Sequence, residues 1–281
     1  MKKIQITKAS GEEQYFNVQK LINSLSNAGA STEIIEQIVK KTIKSLYPGI
    51  STNTIYNKAF ELLKELSLPL AGRYKLKKAI LELGPTGFPI EHYISKILEC
   101  NSFQVKVGVI VQGLCVQHEV DVEAEKEHLH YMIECKFHSK SGIKSSVKVP
   151  LYVHSRFNDV KSQWEKLYGH SKKYHQGWII TNTRFSKDAI KYGICAGLKM
   201  TCWDYPEGAS LQKMIENTGL HPITCISDLS NTEKNKLLKQ GIVLCKELCE
   251  DQSLLSEIGI PSDRIISIIE EGQQICKTPF S

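Results

Sequence analysis

Two carboxylates and an ammonium stand at a spacing that suits metal-assisted hydrolysis: Asp121 and the triplet Glu134-Cys135-Lys136. Side chains alternate across a strand, so Glu134 and Lys136 share one face, roughly 7 Å apart along it. Asp121 lies on the preceding strand of the same hairpin and is placed to sit opposite. Carboxylates are hard oxygen ligands of the kind that hold Mg²⁺. Such an ion polarises a phosphate and acidifies a water, and a lysine beside it offsets developing negative charge. The flanks Tyr131-Met132-Ile133 and Phe137 are apolar, so Glu134 and Lys136 interrupt a strand that is otherwise half-buried. The competing reading of the same pattern is an exposed strand face with alternating charges.

The elements that must position these residues follow from periodicity. After the break Gly84-Pro85-Thr86-Gly87-Phe88-Pro89, Pro89 suits a first helical position, with Ile90, Tyr93, Ile94, Ile97 and Leu98 along one side. Strand-like runs follow at 103–112, 115–123 and 130–138, then a helical stretch around 160–174. A buried strand at 178–181, a helix from Ser186 to about Ala196 and a strand at 199–203 complete the order α-β-β-β-α-β-α-β. The expected class is α/β (α+β) and multi-domain, with a central mixed sheet flanked by helices. Before it, residues 1–84 read as a short hairpin around Ser10-Gly11 (strands Lys3–Lys8 and Gln14–Phe16) and a small helical bundle, the third helix capped at Ser51-Thr52. Residues 222–281 read as short helices, with the core domain expected at 87–210.

Length, composition and charge narrow the function. The 281 residues are 41% hydrophobic and 23% charged, as in an ordinary globular chain of about two domains. The longest apolar runs, such as Val107–Val111, are far short of a membrane span, and the basic start has no secretory h-region. Nine scattered cysteines without a C-x-x-C pair fit reduced thiols and a cytoplasmic location. The net charge is +6, yet Lys136–Lys191 alone carries twelve cations against three acids, a local +9 that leaves −3 for the remainder. Charge concentrated in this way suits a polyanion such as double-stranded DNA, the alternative being a solvated lysine-rich surface. Lys140, Lys172, Lys173 and Arg184 are the candidate phosphate contacts. His138, His154, His170 and His175 lie in the same stretch without a metal-ligand spacing and receive no role. Trp164, Tyr168, Tyr174 and Trp178 lie in the same stretch, where stacking on bases is one reading and core packing the commoner one.

Met132-Ile133-Glu134-Cys135-Lys136, preceded by Glu119-Val120-Asp121-Val122 and a helix carrying Glu91, resembles the PD-(D/E)xK nuclease superfamily. The Mrr-type restriction endonucleases are the nearest likeness, through Trp178–Ser186, Ala189 and Tyr192-Gly193; the resemblance spans about residues 87–205. It implies a restriction-endonuclease-like fold, Asp121 and Glu134 as ligands of Mg²⁺ or Mn²⁺, Lys136 as catalytic lysine and Glu91 as an accessory catalytic acid. Glu91 reads equally as a carboxylate favoured by the dipole of a first helical turn. Mrr-type enzymes often carry Gln where Glu134 stands.

The first segment is similar to an ATP-cone through Ile6–Gly11, Phe16-Asn17 and Lys20-Leu21, which implies ATP or dATP as effector, gripped by Lys8 and Lys20. The arginine usual in the first hairpin of that module is missing, and self-association into a homo-oligomer is the other reading of the segment. The third segment resembles a helix-hairpin-helix pair, with Gly259 at the DNA-facing turn and Gly241-Ile242 marking a first copy. The expected activity is a Mg²⁺-dependent DNA endonuclease of restriction or defence type. The alternative is a nucleotide-responsive DNA-binding protein with a catalytically inactive nuclease fold.

Overall fold

Ser31, Ser51, Ser186, Ser210 and Ser230 each precede a helix and accept a backbone N–H from its first turn. Short hydroxyl side chains satisfy such orphan donors, so helix starts are written locally in this sequence. A computed structural model describes residues 4–84, 88–170 and 172–277. Two units separate: residues 1–82 together with 221–281, and Leu83–Leu220. Thus the first and third of the segments read from sequence fold together. Lys3 of the expected first strand and Pro85, Thr86 and Gly87 of the expected break lie outside the described residues. None of the described helices is long and apolar enough to cross a membrane.

In the first unit β1 (Gln5–Thr7) pairs antiparallel with β2 (Glu13–Tyr15) and parallel with β3 (Ile50–Ser51). Helices α1 (Val18–Asn27), α2 (Thr32–Lys44) and α3 (Thr52–Leu66) bury Leu21, Leu25, Ile38, Ala59 and Leu63 against one another, and α4 (Leu68–Tyr74) and α5 (Leu76–Leu81) follow.

The second unit opens with α6 (Phe88–Cys100), then β4 (Gln104–Gln112), β5 (Gln117–Lys126), β6 (Leu129–Lys136) and the short β7 (Lys144–Ser145). After α7 (Lys148–Trp164) come β8 (Tyr174–Thr181), β9 (Arg184–Phe185), α8 (Lys187–Cys195), β10 (Lys199–Thr201) and α9 (Leu211–Thr218). The sheet is five-stranded and mixed, in the order β10-β8-β6-β5-β4, with β7 and β9 forming a separate pair. Strands β6, β8 and β10 run parallel while β4, β5 and β6 alternate. The protein is therefore a mixed α/β molecule. Helix α7 starts twelve residues before the expected helical stretch at 160, and its buried stripe Val153, Phe157, Val160 and Trp164 packs on Met132 and Ile179 of the sheet.

Strand β5 breaks its own alternation. Val120 packs on the α7 face with Met132, and Glu123 reaches His130, which lies against Trp164 of α7. Residues three apart cannot share a face of a regular strand. The change of face falls between Val120 and Glu123, and in β4 Gly108 lies between the register partners of Val120 and Val122 at φ 61°, a backbone state that favours glycine.

Helices α10 (Asn231–Lys239), α11 (Cys245–Glu250), α12 (Ser253–Glu257) and α13 (Ser262–Cys276) complete the first unit. Arg73 of α4 donates to the carbonyls of Gln274, Ile275 and Lys277, placing a cation at the negative end of α13. Gly72 lies so close to α13 that an added Cβ would sit 2.6 Å from Cδ1 of Ile275. α10 and α12 both end in glycine-closed caps: the N–H of Ile242 reaches Leu237 O at 3.0 Å and that of Ile260 reaches Leu255 O at 3.1 Å.

Candidate active site

The β5–β6 ladder ends at Val122↔Ile133, and Asp121 and Glu134 are the next residues along it. In place of a further ladder bond, the N–H of Cys135 donates to Oδ2 of Asp121 at 2.7 Å. Glu134 and Lys136 lie on the register partners of Ile179 and Thr181 in β8, which fixes the end of β6 from its other side. Oε2 of Glu134 accepts from Nη1 of Arg156 at 2.5 Å. Arg156 also donates to the carbonyl of Glu119, and its guanidinium lies 5.2 Å from the centre of the Tyr152 ring. A cleft of about 360 Å³ opens here, lined by Gln117, His118, Glu119, Asp121, Tyr152 and Arg156.

The electrostatics are those of crowded carboxylates. Glu91, in the first turn of α6, is pushed up to about 7, first by burial and then by the charges of Asp121, Glu119 and Glu134. Burial likewise raises Asp121 above the usual range, against the opposing pull of the Cys135 N–H and Arg156. Glu134 is raised by burial and by Asp121, while Arg156 and Lys136 hold it down. The Cys135 thiol, buried and near the same acids, is held well above its ordinary value, first by burial, so it stays a neutral packing group. Three partly buried carboxylates, Glu91, Asp121 and Glu134, thus converge, each held above its ordinary range first by burial. Lys136 is exposed at the rim, and its charge favours the ionised forms of Asp121 and Glu134.

The structure brings together Glu91, Asp121, Glu134 and Lys136, and adds Arg156 and Glu119, which the sequence reading passed over. Arg156 had a signal: it sits three residues after Val153 and four before Val160, inside the apolar stripe of α7, where an unpaired charge is costly. The remaining candidates are dispersed. Lys140 and Lys172 are exposed. Lys173 pairs with Glu125 at 2.7 Å and Arg184 with Asp204, so both already neutralise acids of this chain. In the other unit Lys8 pairs with Glu12 at 3.0 Å, Lys20 is exposed on α1, and Gly259 is exposed at φ 88° after α12. The cap at Gly259 recurs at Gly197-Leu198, where the Leu198 N–H reaches Gly193 O at 2.8 Å, so the turn itself is a general helix ending.

Fold and site together define a mixed α/β protein with an acidic, arginine-bridged cleft at one end of its central sheet. It belongs to the AF1548-like family. The C-terminal model of that family matches residues 221–276. An uncharacterized protein of Archaeoglobus fulgidus is 36% identical over 183 residues, which is 65% of this chain and 99% of that relative. The crystal structure of AF1548, a protein of unknown function, is similar at 35% identity and a TM-score of 0.56, covering 68% of this chain and 98% of that one.

Proposed function

We propose that this chain is a Mg²⁺-dependent DNA endonuclease of the Mrr type with a restriction-endonuclease-like core. The observation that carries the reading is the gathering of Glu91, Asp121 and Glu134 in mutual repulsion beside Lys136, with Glu91 pushed up to about 7. The donor set fits a hard divalent cation. Its ligands are carboxylate oxygens, and a cation offsets the negative charge that burial first, and neighbouring acids second, disfavour in all three. Asp121 and Glu134 would hold it, Mn²⁺ serving in place of Mg²⁺. One oxygen of each is already oriented by a protein donor: Oδ2 of Asp121 by Cys135 and Oε2 of Glu134 by Arg156. When bound, the ion polarises the scissile phosphate and acidifies an attacking water. Lys136 supplies positive charge where the phosphate gains negative charge. Glu91 stands beside this pair as the accessory acid, its metal-free value pushed up to about 7 first by burial.

The Arg156–Glu134 ion pair favours a second reading, in which the guanidinium takes the place of a metal and the core binds DNA without cutting it. In either case double-stranded DNA is the partner, with Lys140, Lys172 and the turn at Gly259 as contacts. The first unit responds to ATP or dATP through Lys8 and Lys20, in nucleotide binding or in oligomeric state.

The test is incubation of the chain with plasmid and Mg²⁺, with and without ATP or dATP. Wild type should cut, whereas Asp121→Ala and Lys136→Ala should bind duplex DNA and leave it intact. Cleavage that survives either substitution at the wild-type rate refutes the site. A wild type that binds DNA tightly and never cuts it, under either ion and either nucleotide, establishes the second reading.

A further inference from the structure

At the start of β6, four residues before Glu134, a different set of ligands meets. His130 and His175 are register partners across the parallel strands β6 and β8, and His170 comes from the connection between α7 and β8. One ring nitrogen from each lies within 4.8 Å of the other two. His130 is wholly buried and His175 is 6% exposed. Trp164 closes the group from the α7 side, its ring 4.0 Å from that of His130 and 5.3 Å from that of His175.

The hydrogen bonds leave this group incomplete. Nε2 of His130 donates to Oε1 of Glu123 at 2.9 Å, and a carboxylate can only accept, so the His130 lone pair is on Nδ1. That Nδ1 faces Nδ1 of His175 at 3.0 Å, a spacing at which two neutral rings share one proton. Nε2 of His175 and Nδ1 of His170 are both buried with no hydrogen-bond partner. A core that merely stacks histidines has no need to turn ring nitrogens inward and leave them unmatched. An ion held by the two facing Nδ1 atoms in place of their shared proton would give Nδ1 of His170 a partner as well, while Nε2 of His175 lies outside that set.

We propose that His130, His170 and His175 form a binding site for one borderline divalent transition ion, Zn²⁺ above all, with Glu123 fixing the orientation of His130. Imidazole nitrogen suits zinc, nickel, copper and cobalt, whereas magnesium prefers oxygen, so this site and the carboxylate cleft select different ions. Two nitrogens bound at tetrahedral angles to one zinc lie roughly 3.3 Å apart, given Zn–N lengths of about 2.0–2.1 Å. The His130–His175 pair is within a few tenths of that, and His170 closes the remainder by side-chain rotation. A carboxylate on the outer nitrogen of a ligating histidine is a recurrent support of such sites. The ion ties the α7–β8 connection, which carries Lys172 and Lys173, to the two central strands. Its role is a clip on the basic stretch rather than chemistry at the phosphate.

The experiment uses the full chain, thiols reduced, stripped with a chelator and titrated with Zn²⁺ or Co²⁺. The expected result is one equivalent bound per chain, a melting temperature raised by several degrees, and visible Co²⁺ bands without a thiolate charge-transfer band. His170→Ala and His175→Ala should each lose the equivalent and the thermal shift, with His170→Ala folding like wild type when metal-free. Glu123→Gln should weaken Zn²⁺ binding by about 10–100-fold, and Asp121→Ala should keep it. No thermal shift and no visible Co²⁺ band would overturn the site. So would binding that survives both histidine substitutions, or a thiolate band, which would assign the ion to cysteines.

Discussion

Asp121 accepts, at 2.7 Å, the backbone N–H of Cys135, the residue that separates Glu134 from Lys136. One carboxylate therefore sets the position of the other two polar groups through the backbone between them. The bond also explains why the acid tolerates its burial: a fixed N–H dipole replaces part of the lost water.

Asp121→Asn separates the charge of this residue from its geometry. The amide oxygen still accepts the Cys135 N–H, so the roughly 1 kcal/mol of that bond is kept, while repulsion with Glu91 and Glu134 is lifted. Melting in a chelator should show Asp121→Asn at or above wild type and Asp121→Ala below Asp121→Asn. Mg²⁺-dependent cleavage should be lost in both. An Asn variant clearly less stable than the Ala variant would show that the side chain does not work as this acceptor.

Glu91 gives the metal-free protein a defined pH dependence. Its folded value of about 7 lies above the ordinary 4.5, so the folded state holds an extra proton between those values. The contribution of Glu91 to stability is then greatest below about 4.5, falls as pH rises to 7, and levels off above it. Urea midpoints in a chelator should decline from pH 5 to pH 8, and Glu91→Gln should decline less. Parallel profiles for the two proteins would place Glu91 away from the other acids.

Arg156 and Glu134 should behave as one unit. Both side chains are mostly buried, at 13% and 18% exposure. Removing one partner strands the other, at a cost of about 2 kcal/mol, between the values for exposed and fully buried pairs. Arg156→Gln alone should destabilise by that amount, and Arg156→Gln with Glu134→Gln should recover most of it. Additive losses in the double variant would reject the coupling.

The lysines should sort by whether this chain already uses their charge. DNA affinity should fall steeply with salt, and Lys140→Ala and Lys172→Ala should each lower the salt slope by about 1. Lys173→Ala and Arg184→Ala should leave the slope nearly unchanged, because Glu125 and Asp204 already neutralise them. Fluorescence anisotropy across a salt series reads all four.

Much of the site was legible because strand alternation is local. Asp121, Glu134 and Lys136 could be placed on facing strands from their spacing, and Ser51 and Ser186 start helices as their types imply. Arg156 was missed because the helical stretch was expected only from about 160, whereas α7 begins at Lys148. The stripe from Val153 to Trp164 nonetheless had helical spacing. His130 and His175 escaped for a different reason. They are 45 residues apart, and only the parallel pairing of β6 with β8 brings them together. Contacts made by topology leave no periodic trace, and the same holds for Gly72 against Ile275.

The packing of Gly72 and Arg73 against α13 sets an order of assembly during synthesis. Residues 1–82 leave the ribosome first, yet about two hundred residues separate Arg73 from the carbonyls that it caps. The sheet unit, continuous from Leu83 to Leu220, can fold while the front helices still wait for theirs. Until residues 221–281 emerge, the faces of α4 and α5 that they cover stay exposed to solvent and to chaperones. A truncation that removes the last helix should therefore harm the amino-terminal helices more than the nearer, uninterrupted sheet.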